Sequence, residues 1–203
     1  MKKANCFIAA LLFIISNVLG QTTIFEDDFE SGEFKPSWNT HPNLSGANGI
    51  VEVVPEYPNN GQYAAKMGKS ADAGGFTTNA LDLHLNLQGQ TQVELTFWIY
   101  DFSDETQAQD GIYFSNNNGA SFTKVLDFKP QDWCDYQYGQ FPPIQIHKLA
   151  AQYGLALTNQ FVIRFQQHDD GDFSGSPDGW FLDDVRVYVP KLAYFQVTPT
   201  QEF

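Results

Sequence analysis

Cysteine is scarce, with only Cys6 and Cys134 in 203 residues. Cys6 lies in the apolar run at the amino terminus, so a chain that has lost that run keeps one thiol and has no internal disulfide. A secreted domain of that kind must be stable through the size of its core or through bound ions. Cys134 stands in "QDWCDYQYG" beside two aspartates, which raise a thiol's pKa and argue against a nucleophile. Basic residues are scarce too, 11 Lys and Arg against 24 Asp and Glu. That balance excludes nucleic acid, whose binding needs basic surface. After residue 20 no segment approaches the ~20 apolar residues that span a bilayer. Helical periodicity is nearly missing; the one candidate, "IHKLAAQYGLAL" (146–157), is short and interrupted by Gly154. There is no internal repeat, no HExxH or His-x-His zinc motif, and no serine in a nucleophile elbow.

The one long apolar run opens the chain. "MKK" followed by "CFIAALLFIISNVLG" predicts a secretory signal peptide over 1–20, cleaved near Gly20. An uncleaved anchor is the rival, but the run is short for a span. Cleavage leaves 183 of the 203 residues and nine basic side chains against 24 acidic, in one domain able to bury a core. The product is expected outside the cell or on its surface, with no membrane span. In a eukaryotic secretory pathway "NLS" at Asn43 would be a glycosylation sequon.

Aromatic residues are abundant, at 15%. "VELTFWIYDF" (93–102) alternates as a strand, and "GIYFSNNNGASFTKVLDF" (111–128) reads as a hairpin turning on Asn-Gly. "NQFVIRFQQH" (159–168) and "GWFLDDVRVYV" (179–189) are two further strands. "IVEVVPEY", "YAAKMG" and "LDLHLNL" are weaker ones. Short strands at this spacing predict an all-β fold, a two-sheet antiparallel β-sandwich of jelly-roll type, concanavalin-A-like or galactose-binding-like. The domain is placed at 21–190. Residues 191–203 read as an extra strand or as a linker within a longer surface protein.

Acidic residues fall into three clusters: "FEDDFESG" (25–32), "DFSDETQAQDG" (101–111) and "HDDGDFSGSPDGWFLDDV" (168–185). In a jelly roll the first and last strands lie close, so acids at the two chain ends would meet. Strict alternation puts Phe181, Asp183, Val185 and Val187 on one inward face, where a carboxylate needs a partner. Asp184 faces the other way unless a bulge intervenes. On the first strand Asp28 and Glu30 share a face opposite Asp27. No Lys or Arg in either cluster is placed to neutralise these groups. An inward Asp183 beside Asp28 and Glu30, with Asp27 and Asp184 near, suits calcium, a hard cation taking six to eight oxygens. Asp104, Glu105 and Asp110 stand open between a second site and a polar loop. The glycine-rich stretch is no EF-hand, for it lacks the glutamate at position twelve.

The early "DFESG" followed by Trp38, the "DGIYFSNNNGASF" hairpin and the closing "DGWFLDDVRV" together resemble secreted jelly-roll modules of the MAM, reelin-repeat and cleaved-adhesin type. The resemblance spans most of 24–189. It implies a non-catalytic adhesion or binding module with structural calcium bridging the first and last strands, its ligands falling on Asp28, Glu30 and Asp183 and then on Asp27 and Asp184. The paired cysteines of MAM domains are missing, which favours the relatives in bacterial surface proteins.

The partner expected is a carbohydrate or an extracellular protein. "DWCDYQYGQFPP" (132–143) reads as a loop whose Trp133, Tyr136, Tyr138 and Phe141 either stack on sugar or pack the loop down. Trp38, Trp98 and Trp180 read as core. The alternatives are a glycan-active hydrolase or lyase on the same sandwich, and a spacer module. Paired carboxylates at the spacing of a glycosidase are not evident. His84 alternates with Asp82 and Asn86 on what reads as the solvent face, and His147 and His168 lack an obvious acid or base partner.

Overall fold

The computed structural model describes residues 21–70, 75–102, 104, 106–170 and 179–191, without the side chains of Gln131 and Trp133. The predicted leader, Glu105, Asp172, Asp178 and the extension from 192 onward therefore lie outside the described residues.

Twelve strands and two short helices follow in the order β1 (Thr22–Asp27), β2 (Trp38–Gly46), β3 (Gly49–Val54), β4 (Ala64–Lys69), β5 (Thr77–Leu85), β6 (Glu94–Phe102), β7 (Gly111–Ser115), β8 (Thr123–Asp127), α1 (Gln131–Cys134), β9 (Tyr138–Gln140), β10 (Ile144–Gln145), α2 (Ile146–Gln152), β11 (Phe161–Asp169) and β12 (Gly179–Val189). A seven-stranded sheet runs β10-β6-β12-β4-β3, with β1 paired to β12 and β9 to β6. A five-stranded sheet runs β2-β5-β11-β7-β8. With 52% strand and 6% helix in two antiparallel sheets, the expected β-sandwich is the fold.

Alternation builds the core. Leu95, Phe97 and Ile99 of β6 face Phe161, Ile163 and Phe165 of β11 and Leu81 and Leu83 of β5, all fully buried. Two strands escape the period-2 pattern. β2 contains Pro42 and Asn43, slips register between His41 and Ser45, and lies at the edge of its sheet, where proline is tolerated. β9 is three residues long, inside the stretch that reads as loop. The hairpin turn is as expected: Asn118 and Gly119 both have positive φ, 59° and 82°, and the Ala120 N–H donates to the Asn117 carbonyl at 3.2 Å.

β12 corrects the predicted parity. Trp180 and Leu182 face the core before residue 183, and Val185 and Val187 face it afterwards. The switch is a β-bulge between Asp183 and Arg186, centred on Asp184 at φ 48°. Here β12 also changes neighbours, from β4 at 179–182 to β1 at 185–189. Phe181 and Asp183 therefore point to the outer face, not into the core. Trp98, Asp183's register partner, lies on that face too and is only partly buried.

On the outer face of the five-stranded sheet, Arg164 grips Asp82 through two hydrogen bonds, Nε–Oδ1 2.7 Å and Nη2–Oδ2 2.9 Å. Its guanidinium lies 3.7 Å from the centre of the Phe122 ring.

Candidate functional site

The outer face of the seven-stranded sheet is aromatic. Register places Glu52, Lys66, Phe181, Tyr100 and Tyr138 in one row across β3, β4, β12, β6 and β9. Phe102, two residues beyond Tyr100 on β6, extends it. Tyr57, from the β3–β4 connection, lies over the row with its ring centre 5.1 Å from Tyr100 and 5.2 Å from both Phe102 and Phe181. Tyr136 leans edge-on against Phe102 at 5.4 Å. Tyr57 and Tyr136 are the exposed rings, at 44% and 54%. Lys66 sits 5.7 Å over Phe181 and forms an ion pair with Glu56 at 3.5 Å. The Tyr138 hydroxyl donates to the Tyr57 carbonyl at 2.5 Å. Burial, and then Asp183 and Asp184, push its pKa up, so it stays a neutral donor. The surface thus offers flat rings edged by an ammonium, a carboxylate and amides.

Of the aromatic residues singled out in 132–143, Tyr136 and Tyr138 belong to this face. Phe141 does not. Its ring stacks on Phe97 at 5.1 Å and meets Phe128 at 5.3 Å, as part of the packing against the core. The Trp133 side chain lies outside the described residues. Tyr57, Tyr100 and Phe102 were not foreseen. Trp98, Tyr100 and Phe102 alternate in "FWIYDF", but with aromatics on one face and apolar residues on the other, alternation alone does not say which is outside. Tyr57 carries no signal at all, since only the fold of its loop brings it over the sheet.

The two ends of the domain do meet: β1 pairs with β12 from Thr22↔Val189 to Asp27↔Val185. The acids there do separate jobs. Asp27 is buried, with Oδ2 accepting from Trp38 Nε1 at 2.9 Å and Oδ1 lying 3.4 Å from Lys35 Nζ. Lys35 is thus the neutralising cation that the sequence reading did not find. β1 ends at Asp27, so Asp28 and Glu30 sit in the following turn rather than on alternating strand faces. Glu30 Oε1 accepts the N–H groups of Gln62 and Tyr63 at 2.8 and 2.9 Å. Asp183 Oδ2 accepts those of Asn59 and Asn60 at 2.8 and 3.3 Å, and Asp184 Oδ2 accepts from Asn59 Nδ2 at 3.1 Å. Burial lifts Asp183 to a pKa of about 6 against the pull of these donors. Together Glu30, Asp183 and Asp184 hold the connection that carries Tyr57. Asp27, Asp28 and Asp184 line a cleft of about 330 Å³ with Glu26, Lys35 and Arg186. Among the described residues no three Asp, Glu, His or Cys side chains converge as a ready-made metal centre.

Asp104 and Asp110 are buried. Cys134 is buried, its Sγ donating to the Pro130 carbonyl at 3.2 Å, and burial first, then Asp101, raise its pKa to about 12. Among the described residues no helix is long and apolar enough to cross a membrane.

No protein-family model and no curated protein matches the chain. Solved structures do. The CBM22-1 xylan-binding domain from Paenibacillus barcinonensis Xyn10C aligns with a TM-score of 0.53 at 13% identity, over 85% of this chain and 97% of its own. The K3 cleaved adhesin domain of Lys-gingipain from Porphyromonas gingivalis w83 aligns at 0.50 and 18%, over 81% and 98%. At these identities the likeness shows a shared fold: the chain is built as the β-sandwich found in carbohydrate-binding modules and in a cleaved adhesin domain.

Proposed function

We propose that the chain is a secreted, non-catalytic module that binds carbohydrate on the outer face of its seven-stranded sheet. The observation that carries this reading is the pair of exposed rings, Tyr57 and Tyr136, set on the partly buried Tyr100 and Phe102. Sugar rings present C–H faces that lie flat on aromatic rings, and exposed rings gathered on one face mark a binding surface. Glu56 and the Asn59 amide stand at the edge of these rings, where they can meet hydroxyls. The fold neighbours support the class of partner, and xylan is the first polysaccharide to try.

The test is titration calorimetry against soluble xylan and a panel of other polysaccharides. Tyr57→Ala and Tyr136→Ala are each expected to weaken binding by about 5- to 30-fold, for about 1–2 kcal/mol per lost stacking ring. Binding that survives both substitutions unchanged moves the site off this face. No binding to any polysaccharide leaves an extracellular protein as the partner.

The reading includes structural calcium in the cleft at the β1–β12 seam. Asp28 and Asp184 are its most available carboxylates, because Asp27 is already engaged by Lys35 and Trp38, while Glu30 and Asp183 hold backbone N–H groups. Equilibrium dialysis with ⁴⁵Ca²⁺ is expected to show one ion fewer in Asp28→Asn/Asp184→Asn. Asparagine suits the positive φ of residue 184 and can keep its contact with Asn59, so the variant removes charge without unseating the bulge. An unchanged ion count rejects calcium here.

A further inference from the structure

One end of the sandwich interior is closed by carboxylates where apolar side chains would be expected. On β6 the inward row Leu95, Phe97, Ile99 ends in Asp101. On β11 the inward row Phe161, Ile163, Phe165 continues as Gln167 and Asp169. The β6–β7 connection adds Asp104 and Asp110. Asp101, Asp104, Asp110 and Asp169 are 0%, 2%, 1% and 0% exposed. Lys69 lies 3.6 Å from Asp169 Oδ1, and Lys124 acts on Asp110 from its rim. One buried lysine cannot balance four carboxylates in a medium that solvates charge poorly.

The hydrogen bonds show which oxygens are provided for. The Asp104 N–H donates to Asp101 Oδ1 at 3.1 Å, and Gln167 Nε2 donates to Asp104 Oδ1 at 2.9 Å. His168 N–H and Gln107 N–H donate to the two Asp110 oxygens at 2.7 and 2.5 Å. Asp104 Oδ2, Asp169 Oδ2 and Thr106 Oγ1 are enclosed without any hydrogen-bond partner among the described residues. These are oxygen lone pairs facing no donor. A proton shared between two of these oxygens would neutralise one carboxylate and leave the remaining charges unanswered. A hard divalent cation uses such lone pairs directly.

We propose that this end of the sandwich is a calcium site, distinct from the β1–β12 seam, with Asp104 and Asp169 as its carboxylates. The ion would join the β6–β7 connection to the end of β11. Since no three acidic side chains converge among the described residues, the rest of the shell falls to backbone carbonyls and water, which calcium accepts among its six to eight ligands. The proposal does not depend on carbohydrate binding.

The experiment is thermal unfolding of the purified protein in calcium and in EGTA, with ⁴⁵Ca²⁺ dialysis, for the wild type, Asp104→Asn, Asp169→Asn and Asp184→Asn. At a calcium concentration about 100 times Kd, the ion is expected to raise Tm by roughly 5–10 °C. Asp104→Asn and Asp169→Asn should each lose one ion, whereas Asp184→Asn keeps this one. In EGTA, Asp104→Asn should melt above the wild type, because it removes one of four crowded charges. That reversal separates a ligand from a residue that only fills space. The proposal is overturned if the ion count is the same in Asp104→Asn and Asp169→Asn as in the wild type. It is also overturned if calcium leaves Tm unchanged while acidification from pH 8 to pH 6 in EGTA raises it. Burial and neighbouring carboxylates hold Asp104 well above the usual range and Asp110 at about 7. The folded state then binds protons that the unfolded state does not, so that outcome would mean protons do the neutralising.

Discussion

Trp38→Ala is expected to destabilise the protein by about 3–5 kcal/mol, a loss on the order of 10 °C in Tm for a domain of this size. Trp38 is 5% exposed, with its ring centre 5.5 Å from Phe25, 6.1 Å from Phe29, 6.4 Å from Phe34 and 6.2 Å from Phe165. Alanine leaves a cavity between the two sheets. It also removes the indole N–H from Asp27 Oδ2, a buried oxygen that then lacks its donor. Trp38→Phe separates the two effects. It keeps most of the packing and loses only the donor, so a smaller cost of about 1–2 kcal/mol is expected. Urea unfolding with unchanged m-values measures both. A cost below about 1 kcal/mol for alanine would mean that this aromatic cluster does not tie β1 and β2 into the core.

Arg164→Ala is the second large effect, again about 3–5 kcal/mol. Most of that cost comes from the partner left behind. Asp82 is 3% exposed and accepts both guanidinium bonds, and once Arg164 is gone its remaining side-chain partner among the described residues is His41, with Nε2 at 3.1 Å. The guanidinium also covers Phe122. The double variant Asp82→Leu/Arg164→Met removes the pair without stranding a charge, and is expected to unfold later than Arg164→Ala alone. If the double variant is the less stable of the two, the pair contributes net stability and the desolvation argument fails at this position.

The sandwich was legible because strand alternation is a local property. "VELTFWIYDF", "NQFVIRFQQH" and "GWFLDDVRVYV" each expose their period within ten or so residues, and they became β6, β11 and β12 with nearly the same bounds. β2 was hidden because an edge strand can carry Pro42 and a slipped register. β9 was hidden because three residues hold too little of a period to see. The meeting of the chain ends also followed from the fold class, and β1 indeed pairs with β12. The face on which Asp183 lies did not follow. One extra residue at Asp184 inverts the parity of everything before it, and a bulge of this kind depends on which strand pairs on each side.

The functional surfaces divide along the same line. By itself the sequence determined the all-β class, the sandwich and the proximity of acids from the two chain ends, together with Tyr136 and Tyr138 as candidate contacts. The tertiary structure alone decided that Tyr57 lies across Tyr100 and Phe181, that Phe141 turns inward, that Lys35 answers Asp27, and that Asp104 and Asp169 share one buried end of the core. Each of these joins residues far apart in the chain. Their juxtaposition depends on sheet pairing and loop closure, which local composition and periodicity do not encode.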